Sequence, residues 1–211
     1  MTSPARAERE RFSDLLAEVG PDAPTLCEGW NTRDLAAHVV VRERRPDGAA
    51  GVLIGPLASY TDKVQKKVAA TEWSELVDTV RGGPPMWSPM RIGAIDRVAN
   101  TIEFFVHHED IRRAADPWEP RDLPGDLADD LHANLKRAVR LLARKAPSGL
   151  VLEPADGRGA IIAKKGDPAV TVRGPIGELV MFVYGRQDYT RVDIVGDAAL
   201  VEALRTTEFG V

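Results

Sequence analysis

Three side chains in two distant segments have the types and spacing needed to bind a metal ion. Glu103 and His107 are four residues apart, so on a helix they would share one face, a single turn apart. Metal sites in helical bundles are built from inward side chains on facing helices. We predict that His38 is the third donor, because it lies in an amphipathic segment between Leu35 and Val39.

A helical wheel of the segment around Glu103 shows a polar stripe with apolar residues on both sides. At about 100° per residue, the stripe falls within roughly 60° of one line. Its members are Asp96, Asn100, Glu103, His107 and Asp110. Such a stripe indicates polar groups carried into the protein interior, where they need partners or a metal. His108 points about 140° away from Glu103, so we leave it out of the predicted site.

A metal-free interpretation stands beside this one. Glu103 and His107 could form a hydrogen-bonded pair within one helix, and His38 could be a core histidine whose hydrogen bonds are satisfied. The E-x-x-x-H spacing is much less specific than H-E-x-x-H, so spacing alone leaves both interpretations open.

Composition narrows the class of protein without indicating its chemistry. The 211 residues carry a net charge of −4, from 28 Lys and Arg against 32 Asp and Glu, which gives no reason to expect nucleic acid or an anionic membrane as partner. No stretch reaches the roughly 20 apolar residues of a membrane span, and the first ten residues lack the apolar core of a secretory signal. The single cysteine, Cys27, fits a reducing compartment. We therefore expect a cytoplasmic globular protein of unknown oligomeric state.

The apolar periodicity changes near residue 147. Helical spacing predicts helices over residues 5–19, 32–42, 58–80, 90–114 and 127–144, and these suggest an antiparallel four-helix bundle. Short apolar runs at 150–153, 159–163 and 169–172 then predict a small antiparallel meander. A helix over 175–184, a strand over 191–195 and a helix over 197–205 complete the chain. The predicted fold is α+β, with a helical domain over 1–146 and a small α+β domain over 147–211.

A family resemblance adds to this interpretation. Gly29, Trp30, Asp34, Leu35 and His38 resemble the "GW-t-xx-DL-xx-H" signature of the mycothiol-dependent maleylpyruvate isomerase family, one of the DinB-like metal-binding bundles. Residues 103–114 are similar to the family's later E-x-x-x-H motif, with its acidic residue and Arg-Ala pair. Residues 174–179 and 192–197 resemble its sterol-carrier-like C-terminal domain.

The resemblance implies a site and a chemistry. His38, Glu103 and His107 would occupy the family's three ligand positions, and His₂Glu ligation with an open position is the pattern of catalytic zinc; nickel and iron(II) suit the same donors. Mycothiol or another small thiol would be activated for attack on a small electrophile, giving transfer or isomerisation. Two alternatives stay open: a non-catalytic module that binds a metal or small ligand, and a metal-free binding protein.

Other residues are weaker candidates for roles around this site. Arg42 and Arg112 could contact an anion, although a solvated salt bridge is the commoner fate of such residues. Arg186 could close over the pocket from the second domain. Asp34 could orient the imidazole of His38 or serve as a helix N-terminal charge. For Cys27 we expect a structural role.

Overall fold

The computed structural model describes residues 3–44, 58–88, 91 and 93–210, without the side chains of 58, 59, 94–96 and 99. Within these ranges the chain forms eight α-helices and a four-stranded sheet, so the predicted α+β class is confirmed. The chain divides into two compact units, Met1–Trp118 and Glu119–Val211. In the described ranges, no helix combines the length and the apolar character that crossing a membrane requires.

The first unit is helical. Its helices are α1 (Pro4–Val19), α2 (Thr32–Arg44), α3 (Ala58–Ala69), α4 (Trp73–Gly82) and α5 (Gly93–Arg112). Helix α1 packs against α4 and α5, and α2 packs against α3 and α4. Their shared core contains Phe12, Leu16, Leu35, Val39, Leu76, Val80, Phe104 and Ile111. Helices α2 and α5, which carry the predicted site, therefore bury their apolar residues in one common core.

The region predicted as one helix over 58–80 is two helices. The first ends at Ala69, where Arg33 Nη1 donates 2.9 Å hydrogen bonds to the carbonyl oxygens of Ala69 and Thr71. The second begins at Trp73, with the Glu72 carboxylate accepting from the backbone N–H of Glu75 at 3.1 Å. A capping side chain and an arginine that binds the preceding carbonyls thus interrupt a continuous apolar periodicity.

The second unit combines three helices with the sheet. Its elements are α6 (Gly125–Leu142), β1 (Gly149–Pro154), β2 (Ile161–Lys164), β3 (Ala169–Gly174), α7 (Ile176–Val183), β4 (Asp193–Val195) and α8 (Ala198–Arg205). The strand order is β2-β1-β3-β4. Every residue of α7 is buried, and α7 packs against α6, β1 and β3. This short apolar helix therefore forms much of the core of the unit.

The predicted antiparallel meander is wrong for one strand pair. Strand β1 pairs antiparallel with β2 but parallel with β3. The connection from β2 to β3 passes the start of β1, where a side chain on Gly149 or on Gly166 would collide with the backbone of the other residue. Two glycines at this crossing let β3 add to the far side of β1.

Helix α6 lies in the second unit, whereas the sequence analysis assigned residues 127–144 to the helical domain and its bundle. It packs against α7 and β2. The division of the chain falls between residues 118 and 119, upstream of the predicted boundary at 146/147. An amphipathic stripe identifies a helix that needs a hydrophobic partner, but it does not identify which partner.

Candidate metal centre

His38 is presented by α2 beside a turn that holds the start of this helix. The turn closes through an antiparallel bridge between Pro24 and Asn31. The helix then begins with a reciprocal cap, in which the backbone N–H of Asp34 donates to Asn31 Oδ1 at 3.0 Å and that of Asn31 to Asp34 Oδ2 at 3.2 Å. Leu35, one turn before His38 on the same helix, is buried in the core, and the His38 side chain is 21% exposed.

Glu103 and His107 project from one face of α5. Phe104 and Ile111 of the same helix are fully or almost fully buried and fix its rotation against the core. The Glu103 side chain is 22% exposed and that of His107 is 12% exposed. The predicted one-turn spacing therefore places both groups at a partly open edge of the helical unit.

The three side chains converge on one carboxylate oxygen. Glu103 Oε1 lies 3.2 Å from Nε2 of His38 and 3.3 Å from Nε2 of His107. The two imidazole rings are 5.4 Å apart between centroids and nearly perpendicular, at 79°. One donor atom from each residue lies within 4.8 Å of the other two. The structure thus brings together the three residues that the sequence analysis selected.

This donor set fits a divalent metal ion in chemistry and in size. A tetrahedral zinc ion with bonds of about 2.0–2.2 Å separates its ligand atoms by about 3.3–3.6 Å. The two nitrogen–oxygen separations, 3.2 and 3.3 Å, are close to the lower end of that range. Two imidazoles and one carboxylate also leave a fourth position for water or substrate, which the partial exposure of the site permits.

The ionisation of Glu103 and His107 favours a cation or a proton between them. Burial would raise the pKa of Glu103, but hydrogen bonds from His107 and His38 and the charge of Arg42 lower it well below 4.5. Burial would lower the pKa of His107, but hydrogen bonds to Asp110, Cys27 and Glu103 raise it well above 6.5. These shifts favour a Glu103 carboxylate that faces a His107 imidazolium, and a metal ion held by these residues would take the place of the Nε2 proton.

A second layer of contacts lies behind His107. Its Nδ1 lies 3.0 Å from Oδ2 of Asp110, one helical turn further along α5. The Cys27 thiol lies 3.2 Å from the same oxygen, and the backbone N–H of Leu26 donates to the Asp110 carbonyl at 3.0 Å. Cys27, His107 and Asp110 also form a second group of metal-compatible donors within 4.8 Å, and this group shares His107 with the first.

A polar chain leads from Glu103 into the core. Arg42 Nε lies 3.3 Å from Glu103 Oε1, and its Nη1 donates to the amide oxygen of Asn100. Asn100 Nδ2 donates to Glu43 at 3.2 Å, and Glu43 accepts two hydrogen bonds from the guanidinium of Arg9. Arg42 and Glu103 are thus connected to a buried ion pair between α1 and α2.

The weaker candidates have the following contacts. Arg42 contacts Glu103 directly, while Arg112 binds Glu109 on its own helix at 3.0 Å. Arg186, in the second unit, donates to the carbonyl of Tyr184. Asp34 caps α2 rather than orienting His38, so only the second of its two predicted roles has a contact to support it.

His108 and Asp96 lie on the same helix as the proposed ligands Glu103 and His107. His108, which we excluded, points to α1 and binds Glu8 at 2.8 Å. The side chain of Asp96 lies outside the described residues.

Two contacts around the site were not predicted from the sequence. The Trp30 ring lies 5.2 Å from that of His38 between centroids, tilted by 47°, and Cys27 reaches Asp110 across 83 positions of sequence. Neither contact follows from helical spacing. The i,i+3 relation of His107 and Asp110 within the polar stripe was a signal for their pairing.

A comparison with solved structures supports this fold, whereas two comparisons of the sequence found no match. No family model and no curated protein matches the sequence. Two crystal structures do match: one of the mycothiol-dependent maleylpyruvate isomerase, and one of a mutant of that enzyme with a histidine replaced by alanine. Each covers 92% of this chain and 95% of its own, at 16% sequence identity, with TM-scores of 0.60 and 0.59.

This chain is similar in fold to that isomerase. The predicted resemblance is therefore confirmed as a likeness of fold. At 16% identity the likeness carries no residue roles, so the case for a site depends on the atoms described above.

Proposed function

We propose that this protein is a metal-dependent enzyme that uses a small thiol, of the mycothiol type, to transfer a group to or isomerise a small electrophile. One observation carries the proposal: Nε2 of His38, Nε2 of His107 and Oε1 of Glu103 meet at spacings that suit one divalent ion, at a partly exposed edge of the helical unit. The similarly folded isomerase is described as mycothiol-dependent, which supports a thiol as co-substrate.

The residues of this chain have distinct tasks in such a reaction. His38, Glu103 and His107 would hold the ion, for which we propose zinc, with nickel and iron(II) also compatible with these donors. When bound, the metal supplies an electrophilic position that lowers the pKa of a thiol, so that the nucleophile is present as thiolate at neutral pH.

Charge around the site favours such a thiolate. A divalent ion with Glu103 and neutral imidazoles has a net charge of about +1, and the Arg42 guanidinium lies 3.3 Å from Glu103 Oε1. Positive charge next to a partly buried position stabilises an anion there. We place this activity in the cytoplasm, where small thiols are kept reduced.

The test combines metal content with thiol turnover. The full-length protein is purified gently, its metal is measured by elemental analysis, and consumption of mycothiol is followed with maleylpyruvate and other small electrophiles, with and without chelator. We expect close to one ion per chain and activity that chelation removes and zinc restores. His107→Ala should lose metal and activity together, whereas His132→Ala, in the second unit, should retain both.

Three results would contradict the proposal in different ways. Metal far below one ion per chain, in protein reconstituted with zinc, nickel or iron(II), would favour a metal-free binding protein. Full metal content without thiol turnover on any electrophile would favour a non-catalytic metal-binding module. Loss of activity in His107→Ala with full metal retention would show that the ligand assignment is wrong.

A further inference from the structure

We propose that Asp110 is the positioning residue of this site, because it holds His107 with Nδ1 protonated and Nε2 directed toward Glu103 and His38. The inference depends on the proposed metal site and deepens it, since it names the group that sets the orientation of one ligand. It also assigns Cys27 a role as hydrogen-bond donor to Asp110 rather than as a metal ligand.

Contact geometry supports this role for Asp110. His107 Nδ1 lies 3.0 Å from Asp110 Oδ2, and the Asp110 side chain is completely buried. The two residues are three apart on α5, so the contact fits a regular helix without distortion. A buried carboxylate accepts a hydrogen bond from Nδ1–H and leaves the other ring nitrogen facing Glu103, 3.3 Å away.

The turn before α2 holds Asp110 in place. The Leu26 N–H donates to the Asp110 carbonyl at 3.0 Å, and the thiol of Cys27 lies 3.2 Å from Oδ2. Trp30, near the end of the same turn, contacts the ring of His38. One short segment therefore contacts a proposed ligand on α2, His38, and the support of another on α5, Asp110.

The chemical consequence is a fixed tautomer. An imidazole that donates Nδ1–H to a carboxylate has its lone pair on Nε2, and the carboxylate makes that nitrogen a stronger donor to a metal. Loss of such an outer partner typically weakens metal binding by 10–100-fold. Asp110 should therefore affect metal affinity although it is not itself a ligand.

Cys27, His107 and Asp110 could instead form their own metal site, and the distances argue against this. In a tetrahedral zinc site with a Zn–S bond of about 2.3 Å and a Zn–O bond of about 2.1 Å, sulfur and oxygen lie about 3.6 Å apart. The observed separation is 3.2 Å, which suits a thiol that donates to a carboxylate. The His107–Asp110 distance of 3.0 Å is likewise that of a hydrogen bond.

The experiment compares two carboxylate–imidazole pairs whose histidines are neighbours on α5. Affinity for zinc is measured by competition with a chromophoric chelator in the wild-type protein, in Asp110→Asn and in Glu8→Gln. Glu8 is the matched control, because its side chain is also completely buried and binds the imidazole of His108 at 2.8 Å. We expect Asp110→Asn to weaken zinc binding by about 10–100-fold and Glu8→Gln to leave it unchanged.

Two spectroscopic readouts test the assignment of atoms in the protein without any substitution, and one further variant tests the role of Cys27. In the zinc-loaded wild-type protein, nitrogen-15 NMR of the imidazoles should show a protonated Nδ1 and a metal-bound Nε2 for His107. The cobalt-substituted protein should lack a thiolate-to-metal charge-transfer band, and Cys27→Ala should bind zinc within a few-fold of wild type.

The outcomes separate this inference from the proposed function. Unchanged zinc affinity in Asp110→Asn, a metal-bound Nδ1, or a thiolate band that disappears in Cys27→Ala would each overturn the role of Asp110 while the metal site stands. A wild-type protein that binds no divalent metal would overturn both. Neither readout requires thiol turnover, so a non-catalytic metal module would still confirm the role of Asp110.

Discussion

Helix α5 presents two neighbouring histidines to two different environments. His107 and His108 each bind a completely buried carboxylate through Nδ1, that of Asp110 at 3.0 Å and that of Glu8 at 2.8 Å. His108 faces α1, and its pair joins two packed helices. His107 faces the partly exposed edge, where its second nitrogen meets Glu103, which also meets His38.

The comparison of His107 with His108 shows that a carboxylate–imidazole pair alone does not indicate a metal site. About 100° separates consecutive side chains of a helix, so adjacent histidines belong to different surroundings. The His107 face differs in two ways. The imidazole of His38 contacts the same carboxylate oxygen of Glu103 as His107 does, and the three side chains are partly exposed to solvent. The His108 face is part of the packing between helices, as is the neighbouring ion pair of Arg9 and Glu43.

The largest effect that we predict concerns the buried ion pair of Arg9 and Glu43, which belongs to the packing between helices. Arg9 and Glu43 are nearly completely buried and joined by two hydrogen bonds, and the Arg9 guanidinium lies 4.3 Å from the centroid of the Phe104 ring. Arg9→Met leaves the buried Glu43 carboxylate without its positively charged partner, so we expect the free energy of unfolding to fall by about 3–5 kcal/mol. Urea denaturation of the metal-free protein measures this.

The control is an exposed pair on the same helix. Arg6 and Glu10 are 3.3 Å apart, with side chains 71% and 49% exposed. Arg6→Met should change stability by less than about 1 kcal/mol. Equal effects of the two substitutions would mean that burial of the Arg9 pair does not contribute to the stability of this unit as we infer.

A second prediction concerns the proton of His107 that a bound metal ion would displace. Because the pKa of His107 is raised well above 6.5 in the folded protein, its contribution to stability is complete below about pH 6.5 and is lost as the pH rises toward that higher value. At neutral pH, metal binding should displace this proton and release close to one proton from His107. The lowered pKa of Glu103 means that its carboxylate is already ionised and releases none.

Calorimetry of zinc binding in buffers of different ionisation enthalpy counts these protons. We expect His108→Gln to leave the count unchanged, because His108 binds Glu8 on the other face of the helix. A count that falls by one in His108→Gln, or an enthalpy that does not vary between buffers, would contradict the assignment of the proton to His107.

The meeting of the three proposed ligands could be predicted from the sequence because it depends on helical periodicity. Glu103 and His107 are one turn apart, and His38 lies in a segment whose Leu35 is a core residue. These relations are local to a helix, and packing into a common core brings them together. The resemblance to a known family predicted the same meeting.

The rest could not be predicted because it depends on the path of the chain between elements. The contact of Cys27 with Asp110 requires the turn before α2 to reach the end of α5. The parallel pairing of β1 and β3 depends on a crossing that Gly149 and Gly166 permit. The apolar stripe of α6 fits either unit, and the structure places it in the second.

The smallest effect that we predict concerns Trp30. Its ring contacts the ring of His38 and makes no polar contact with a proposed ligand among the described residues. Its ring lies 5.2 Å from that of His38, and such aromatic contacts contribute roughly 0.5–1.5 kcal/mol. Trp30→Leu should therefore weaken zinc binding by roughly 2- to 10-fold, less than Asp110→Asn. The matched control is Trp73→Leu, since Trp73 is also partly buried in the helical unit but contacts Arg33 instead of a proposed ligand. Equal losses of zinc affinity in both variants would mean that Trp30 acts through general packing, and the contact with His38 would then contribute nothing specific to the site.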